Sequence, residues 1–299
     1  MKNQSELKIV FGDEAGISKV CQGFNRGFSD YKYGSSFDPA GMERFFERSG
    51  IEIQDCAVLL ARVDRQWQGV GTALISIEGQ ESWCGGLAVA PAYRRRRGAE
   101  GLMRAIQSQA CRRGAQRLWL EVLAENEPAR ALYRRLGYVE TRELLMWERS
   151  HRQGNLPVPY ERLYRATPAQ VIADLHGWHD LPPAWQRRAS YLRRAHSLMD
   201  AYTIPARDGL PVAYVLYHHN LHGRDGREML HLFDIAVDPR ADVTDAGCPL
   251  IQALQLTYKN ADLLLVNEPA DSKLNRVLAA LGFHVVDRQY ELVRELGEE

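Results

Sequence analysis

Four consecutive arginines, Arg94, Arg95, Arg96 and Arg97, stand just before Gly98, Ala99 and a run of helical period, Leu102, Met103 and Ile106. A basic turn at a helix start is a ready anion site, because free backbone N–H groups and the positive end of the helix dipole point the same way. Downstream, Glu121 sits inside the apolar run 118–123. A carboxylate there is costly unless it is partnered or functional, although the alternation from Leu118 to Val122 also suits a strand with one wet face. Tyr133 lies one helical turn before the Gly137 helix stop, and a tyrosine hydroxyl, with a pKa of about 10 in water, can donate a proton to a strong base. The nine histidines all lie at or beyond His151, so a histidine can act as base in the first half only if the second domain reaches across; Glu121 is the better candidate, with a water chain as the alternative.

The elements that must position these groups follow from periodicity. Residues 83–90 predict the strand feeding the basic turn, 118–123 a second strand, and 129–136 a short helix closed by Gly137. Before them come a strand at 7–11, helices at 17–28 and 39–48, and strands at 57–63 and 69–77. Asp38 and Pro39 supply the N-cap and first turn of the second of those helices. A strand at 142–147 closes the half, and the Gly- and Pro-containing loop 150–159 is the best domain boundary. Beyond it the pattern predicts a short helix at Thr167-Pro168 and a longer arginine-rich helix at 183–199. Strands at 212–217 and 229–237, a helix at 250–258, a strand at 263–266, a helix at 273–281 and a strand at 284–293 follow. The arginines of 183–199 read as a solvated face.

The chain has 299 residues, 38 basic against 38 acidic, which argues against a general nucleic-acid binder. Its N-terminus lacks a signal-peptide pattern, and no apolar run approaches the roughly 20 residues of a spanning helix. Cys21, Cys56, Cys84, Cys111 and Cys248 are scattered and never form a CxxC pair. That predicts a reduced, cytoplasmic protein with no disulfide framework and no zinc site.

The two halves repeat each other. Ala236-Val237-Asp238-Pro239 matches Ala88-Val89-Ala90-Pro91 at an offset of 148 positions (239 − 91), and Leu250 matches Leu102 at the same offset. Leu281-Gly282-Phe283 matches Leu136-Gly137-Tyr138 at 145 (282 − 137). At these offsets Asp242 and Asp245 replace Arg94 and Arg97, and Val266, Asp271 and Leu278 replace Glu121, Asn126 and Tyr133. Carboxylates repel an incoming phosphate, so the second copy reads as structural or substrate-shaping.

Val89-Ala90-Pro91-Ala92-Tyr93-Arg94 through Leu102, then Asn126-Glu127-Pro128-Ala129 through Tyr133 to Gly137-Tyr138, resemble the GNAT superfamily of acyl-CoA-dependent N-acyltransferases. The resemblance is strong over 86–147, extends over 1–150, and is degenerate over 160–299. It implies an α/β fold of two tandem GNAT-like domains, each a central, mostly antiparallel twisted sheet flanked by helices: 1–150 the acetyl-CoA-binding copy, 160–299 the degenerate one. Leu87, Ala88 and Val89 would offer backbone groups to the pantetheine arm. Arg94 to Ala99 would cradle the pyrophosphate, Asn126 would bond the cofactor arm, and Tyr133 would protonate the departing thiolate. The sequence departs from the family pattern at Arg97, where glycine normally lets the backbone approach the phosphates.

Transfer from a thioester to an amine needs a neutral amine, a stabilised oxyanion and a proton for the thiolate. The expected reaction is N-acetyl transfer from acetyl-CoA to a primary amine of a small molecule or peptide by direct attack. Tyr133 is its acid and Glu121, directly or through water, its base; no metal is required. Asp30, Tyr31 and Tyr33 fall where the acceptor pocket would be built and suit a cationic amine. The expected partners are that acceptor alone, without nucleic acid or membrane, in a monomer or homodimer. The alternatives are a non-catalytic acyl-CoA sensor and a polyanion-binding module using Arg94 to Arg97 with the 183–199 helix.

Overall fold

The computed structural model describes residues 6–33, 36–153, 163–206, 209–221 and 226–297. Most of the expected interdomain loop, 154–159, therefore lies outside the described residues. The chain divides into two compact units. Unit 1 comprises 1–121, 126–140 and 292–299; unit 2 comprises 122–125 and 141–291. The segment 141–149, expected with the first domain, thus belongs to unit 2, and 292–299 belongs to unit 1.

Unit 1 opens with β1 (Leu7–Phe11), the single turn α1 (Gly12–Ala15), α2 (Ile17–Gly27) and α3 (Pro39–Ser49). Asp38 caps α3 as expected, its Oδ1 accepting from the Gly41 amide at 2.6 Å. Strands β2 (Ala57–Val63), β3 (Gln66–Glu78) and β4 (Glu81–Val89) follow. Strands β1 to β4 pair in order, each antiparallel to the next. Then come α4 (Gly98–Arg112), β5 (Arg117–Leu123), α5 (Glu127–Arg135) and β6 (Val139–Arg149), which passes into unit 2 at Thr141. Strand β5 pairs with β4 in parallel.

The apolar face of α2 packs Val20 and Phe24 with Met42 and Phe46 of α3 against Val58, Leu60 and Leu74. The helix can lie this close only because Gly27 lacks a side chain: a Cβ there would fall 2.5 Å from the Ala88 methyl. Helix α4 buries Leu102, Met103, Ile106 and Ala110.

Unit 2 contains β7 (Tyr164–Ala166), α6 (Pro168–Asp174), α7 (Ala189–Ala195), β8 (Asp200–Pro205), β9 (Pro211–Asn220) and β10 (Met229–Val237). It continues through α8 (Val243–Thr257), β11 (Asp262–Pro269), α9 (Leu274–Ala280) and β12 (His284–Glu295), whose last residues return to unit 1. Strands β7 to β10 pair antiparallel in order, β10 and β11 pair parallel, and β11 pairs antiparallel with β6. Its core joins Leu250, Ile251 and Leu254 of α8 and Val277 and Leu278 of α9 to Val215, Leu230, Leu232 and Leu265. No helix among the described residues is long and apolar enough to cross a membrane.

Two sequence expectations change in unit 2. The long helix at 183–199 is instead a 3-10 turn at Trp185–Arg187, then α7, then a 3-10 turn at His196–Leu198. Arg188 breaks it with extended backbone, and Arg187 is buried at 3% exposure rather than solvated. Helix α8 begins at Val243 rather than 250, with Asp242 as its N-cap and Pro249 inside it.

The internal repeat is visible in the backbone. Strand β4 carries a bulge at Gly85, between the pairs Leu74–Gly86 and Ile75–Cys84. Strand β10 carries one at Phe233, between Leu232–Tyr217 and Asp234–Leu216, again 148 positions on (233 − 85). Buried residues of the two helices agree at the same offset: Leu102 with Leu250, Met103 with Ile251, and even the polar Gln107 with Gln255.

Candidate active site

Parallel pairing between β4 and β5 holds for only three rungs, Glu81–Arg117, Ser82–Leu118 and Trp83–Trp119. Beyond Trp83 and Trp119 the strands run on through Val89 and Glu121 without further rungs, so they splay. The bulge at Gly85 falls where the pairing ends, and such bulges bend and twist the strand. A Cβ at Gly85 would sit 2.6 Å from the Trp83 ring, so the indole needs a glycine beneath it. The predicted Leu87, Ala88 and Val89 lie on this splayed end of β4.

Two indoles tie the last rungs together. Trp83 Nε1 donates to Glu121 Oε2 at 2.7 Å, and Trp119 Nε1 donates to Glu81. Glu121 is half-buried, so the carboxylate read from the strand pattern is partnered rather than simply solvated. Neither tryptophan stood out in the sequence. The repeated Trp-to-Glu spacing of 38 residues was a signal, but it has meaning only with the strand register known.

Cys84, the first residue past the last rung, is buried, and burial pushes its thiol up to about 12, with a smaller push from Glu121. Tyr133 on α5 is 6% exposed, and among the described residues its hydroxyl makes no hydrogen bond. Burial, and then Cys84, Tyr138 and Tyr31 in smaller measure, raise its pKa well above the ordinary tyrosine value. Its ring packs edge-on to Tyr138, whose hydroxyl accepts from Gln107 Nε2 at 3.2 Å. The Cys84 thiol thus interacts electrostatically with both the predicted base and the predicted acid. The Tyr31 ring contacts Phe28 and Tyr33.

The basic turn divides its labour. Arg94 folds back onto the end of β4: its Nε donates to the Val89 carbonyl at 2.8 Å, and its two terminal nitrogens grip Asp30 at 2.7 and 2.6 Å. One of them also reaches the Gly27 carbonyl. Asp30 and Arg94, read as acceptor-binding and phosphate-binding residues, therefore bind each other, and the guanidinium holds the Asp30 carboxyl below its ordinary range. Arg96 lies over the Tyr93 ring. Arg95 and Arg97 take φ of 62° and 60°, the left-handed region that costs an L-residue about 1 kcal/mol or more. Arg97 makes no side-chain cap to α4, so the first-turn amides, at Gly98, Ala99 and Glu100, have no such partner. Asn126 caps α5, its Oδ1 accepting from the Ala129 amide at 3.3 Å.

Unit 2 has the same splay without the same opening. Strands β10 and β11 pair from Met229–Asp262 to Leu232–Leu265 and then part. Arg187 bridges them there: its Nε donates to Asp234 at 3.0 Å, one terminal nitrogen to Glu268, and the other to the Ile235 carbonyl at 3.3 Å. The turn equivalent to 95–97 is wound into an extra helical turn of α8, whose Thr244 and Asp245 amides are capped by Asp242. The Lys273 amide, leading into α9, is held by Asp180 at 2.7 Å. Carboxylates already stand where an anion would bind.

Residues 23–138 match the acetyltransferase (GNAT) family. A search of curated protein sequences found no match. Among solved structures, the chain is similar to a tandem GNAT protein from the clavulanic acid biosynthesis pathway. The TM-score is 0.70 at 16% identity, with 98% of this chain and 100% of that one covered. A GCN5-related N-acetyltransferase from Sphaerobacter thermophilus aligns at 0.65 and 14%, covering 100% and 98%. Eis1 from Mycobacterium abscessus aligns at 0.54 and 16%, covering 97% and 74%. At such identities the likeness is one of fold. Residues 23–138 thus match the GNAT family, and over its whole length the chain has the mixed α/β fold of the tandem GNAT protein.

Proposed function

We propose that unit 1 transfers the acetyl group of acetyl-CoA to a primary amine of a small molecule or peptide, by direct attack and without a covalent enzyme intermediate. The observation that carries this reading is the parting of β4 from β5 beyond Trp83 and Trp119, with Glu121 held by Trp83 at the last rung and Tyr133 buried on α5. The uncapped first turn of α4, at Gly98 and Ala99 behind Arg95 to Arg97, fits a pyrophosphate. The splayed end of β4, Leu87 to Val89, and Asn126 fit the pantetheine arm.

In this reading Glu121, directly or through water, takes a proton from the acceptor amine. The amine nitrogen bonds to the thioester carbonyl carbon. As the carbon–sulfur bond breaks, Tyr133 gives its proton to the sulfur. A phenol kept protonated by burial suits that role across the working pH range. Cys84, equally protonated, is a poor nucleophile, which favours direct attack over an acyl-cysteine route. Tyr31 and Tyr33 stand on the acceptor side; Asp30 acts through Arg94, fixing the end of α2.

The test is release of coenzyme A from acetyl-CoA in the presence of a panel of amines. Turnover on at least one amine, lost with Tyr133→Phe, is expected. Tight acetyl-CoA binding with no turnover on any amine would favour the sensor reading instead.

A further inference from the structure

Unit 2 contains a group of side chains that the acyl-transfer reading does not use. The 3-10 turn His176–Trp178 and the residue after it bring His176 and His179 to Asp234, which lies just past the β10 bulge. One ligand atom from each of the three lies within 4.8 Å of the others. Asp234 is fully buried and His179 is 11% exposed in its side chain.

His176 and Asp234 each have an outer partner in place. The His176 Nε2 lies 2.8 Å from the Arg187 carbonyl, so that nitrogen carries the proton and Nδ1 keeps its lone pair. His179 Nε2 lies 3.1 Å from Asp234 Oδ2, close to the ~3.3 Å between ligands bound at ~2.0 Å to a tetrahedral zinc. The other Asp234 oxygen is held by Arg187 Nε at 3.0 Å, and Tyr214 donates to Oδ2 at 2.6 Å. With Arg187 set against Asp234 and Glu268, the group carries one surplus negative charge. His179 and Glu268 also line a cavity of about 300 Å³ with Trp178, Asp238 and Lys273, which leaves room for a water or small ligand.

We propose that His176, His179 and Asp234 bind a divalent metal of the zinc class, which replaces the proton shared between His179 and Asp234. Two imidazoles and one carboxylate are the ligand set of a three-residue zinc site with one position open. The sequence did not disclose the site because its ligands are not cysteines and Asp234 lies 55 residues beyond His179.

The test uses the full chain stripped of metal by a chelator and then titrated with Zn²⁺ against a chromophoric competitor. One Zn²⁺ per chain is expected, weakened at least tenfold by His176→Ala and by His179→Ala and unchanged by the exposed control His218→Ala. Far-UV circular dichroism checks that the variants fold. Independently of any variant, Co²⁺ added to the stripped wild-type chain gives the intense visible bands of a tetrahedral site. No stoichiometric Zn²⁺, binding untouched by both histidine variants, or only the weak bands of octahedral Co²⁺ would overturn the proposal.

Discussion

Trp83 and Glu121 join two strands at the point where they part: the indole Nε1 donates to the carboxylate at 2.7 Å, immediately beyond the last backbone rung. The contact replaces a backbone rung with a side-chain one and fixes the carboxylate beside the opening. Trp83→Phe keeps most of the packing and removes the donor. The expected result is a fall in kcat of about tenfold, with acetyl-CoA affinity changed less than twofold, because a loosened base loses its orientation. Steady-state kinetics beside a binding titration separate the two quantities.

Glu121→Gln removes the proposed base without removing its bulk. The acceptor amine is charged at low pH, so the ratio of wild-type to variant rate is expected to grow as pH falls. A ratio constant from about pH 6 to 9, a range that brackets α-amino pKa values, assigns the base to water or another group.

Tyr133→Phe is expected to lower kcat about a hundredfold, within the range for general acid catalysis, while acetyl-CoA binding stays unchanged. An unchanged kcat in steady-state assays would remove Tyr133 from the mechanism.

Arg97 occupies a left-handed backbone position that glycine takes freely. Arg97→Gly is expected to raise unfolding free energy by up to about 1 kcal/mol, whereas Arg97→Ala, which keeps a Cβ, gives no such gain. Urea denaturation of the three proteins measures it.

Burial pushes the thiols of Cys56 and Cys84 up to about 12, above their values in the unfolded chain. The folded chain therefore holds these protons longer than the unfolded one. Their neutral-state stabilisation is full below about pH 9 and is lost progressively as pH rises toward about 12. Urea midpoints measured across that range should fall, and Cys84→Ala should make the fall shallower.

Much of the fold was legible because its signals are local. Strand β10 coincides with its predicted range, and Asp38 and Thr167 cap the helices that their sequence rules predicted. Strand β8 was missed: Asp200 to Pro205 is six residues ending in proline, which reads as a loop, and its pairing with β9 decides otherwise. The helix predicted at 183–199 failed because Arg187 gains more from two buried carboxylates than from a solvated helical face. The Arg94–Asp30 pair and the Trp83–Glu121 bond span 64 and 38 residues, and no local pattern reports such meetings. The duplication was legible, and the two bulges 148 positions apart give it a backbone counterpart.

The most direct measurement is a crystal structure of the full chain with acetyl-CoA. The account predicts one coenzyme per chain, in unit 1, with the pantetheine between the parted ends of β4 and β5, the pyrophosphate on the Gly98 and Ala99 amides, and the thioester sulfur within hydrogen-bond reach of the Tyr133 hydroxyl. A coenzyme between β10 and β11 of unit 2, or a sulfur remote from Tyr133, would contradict it.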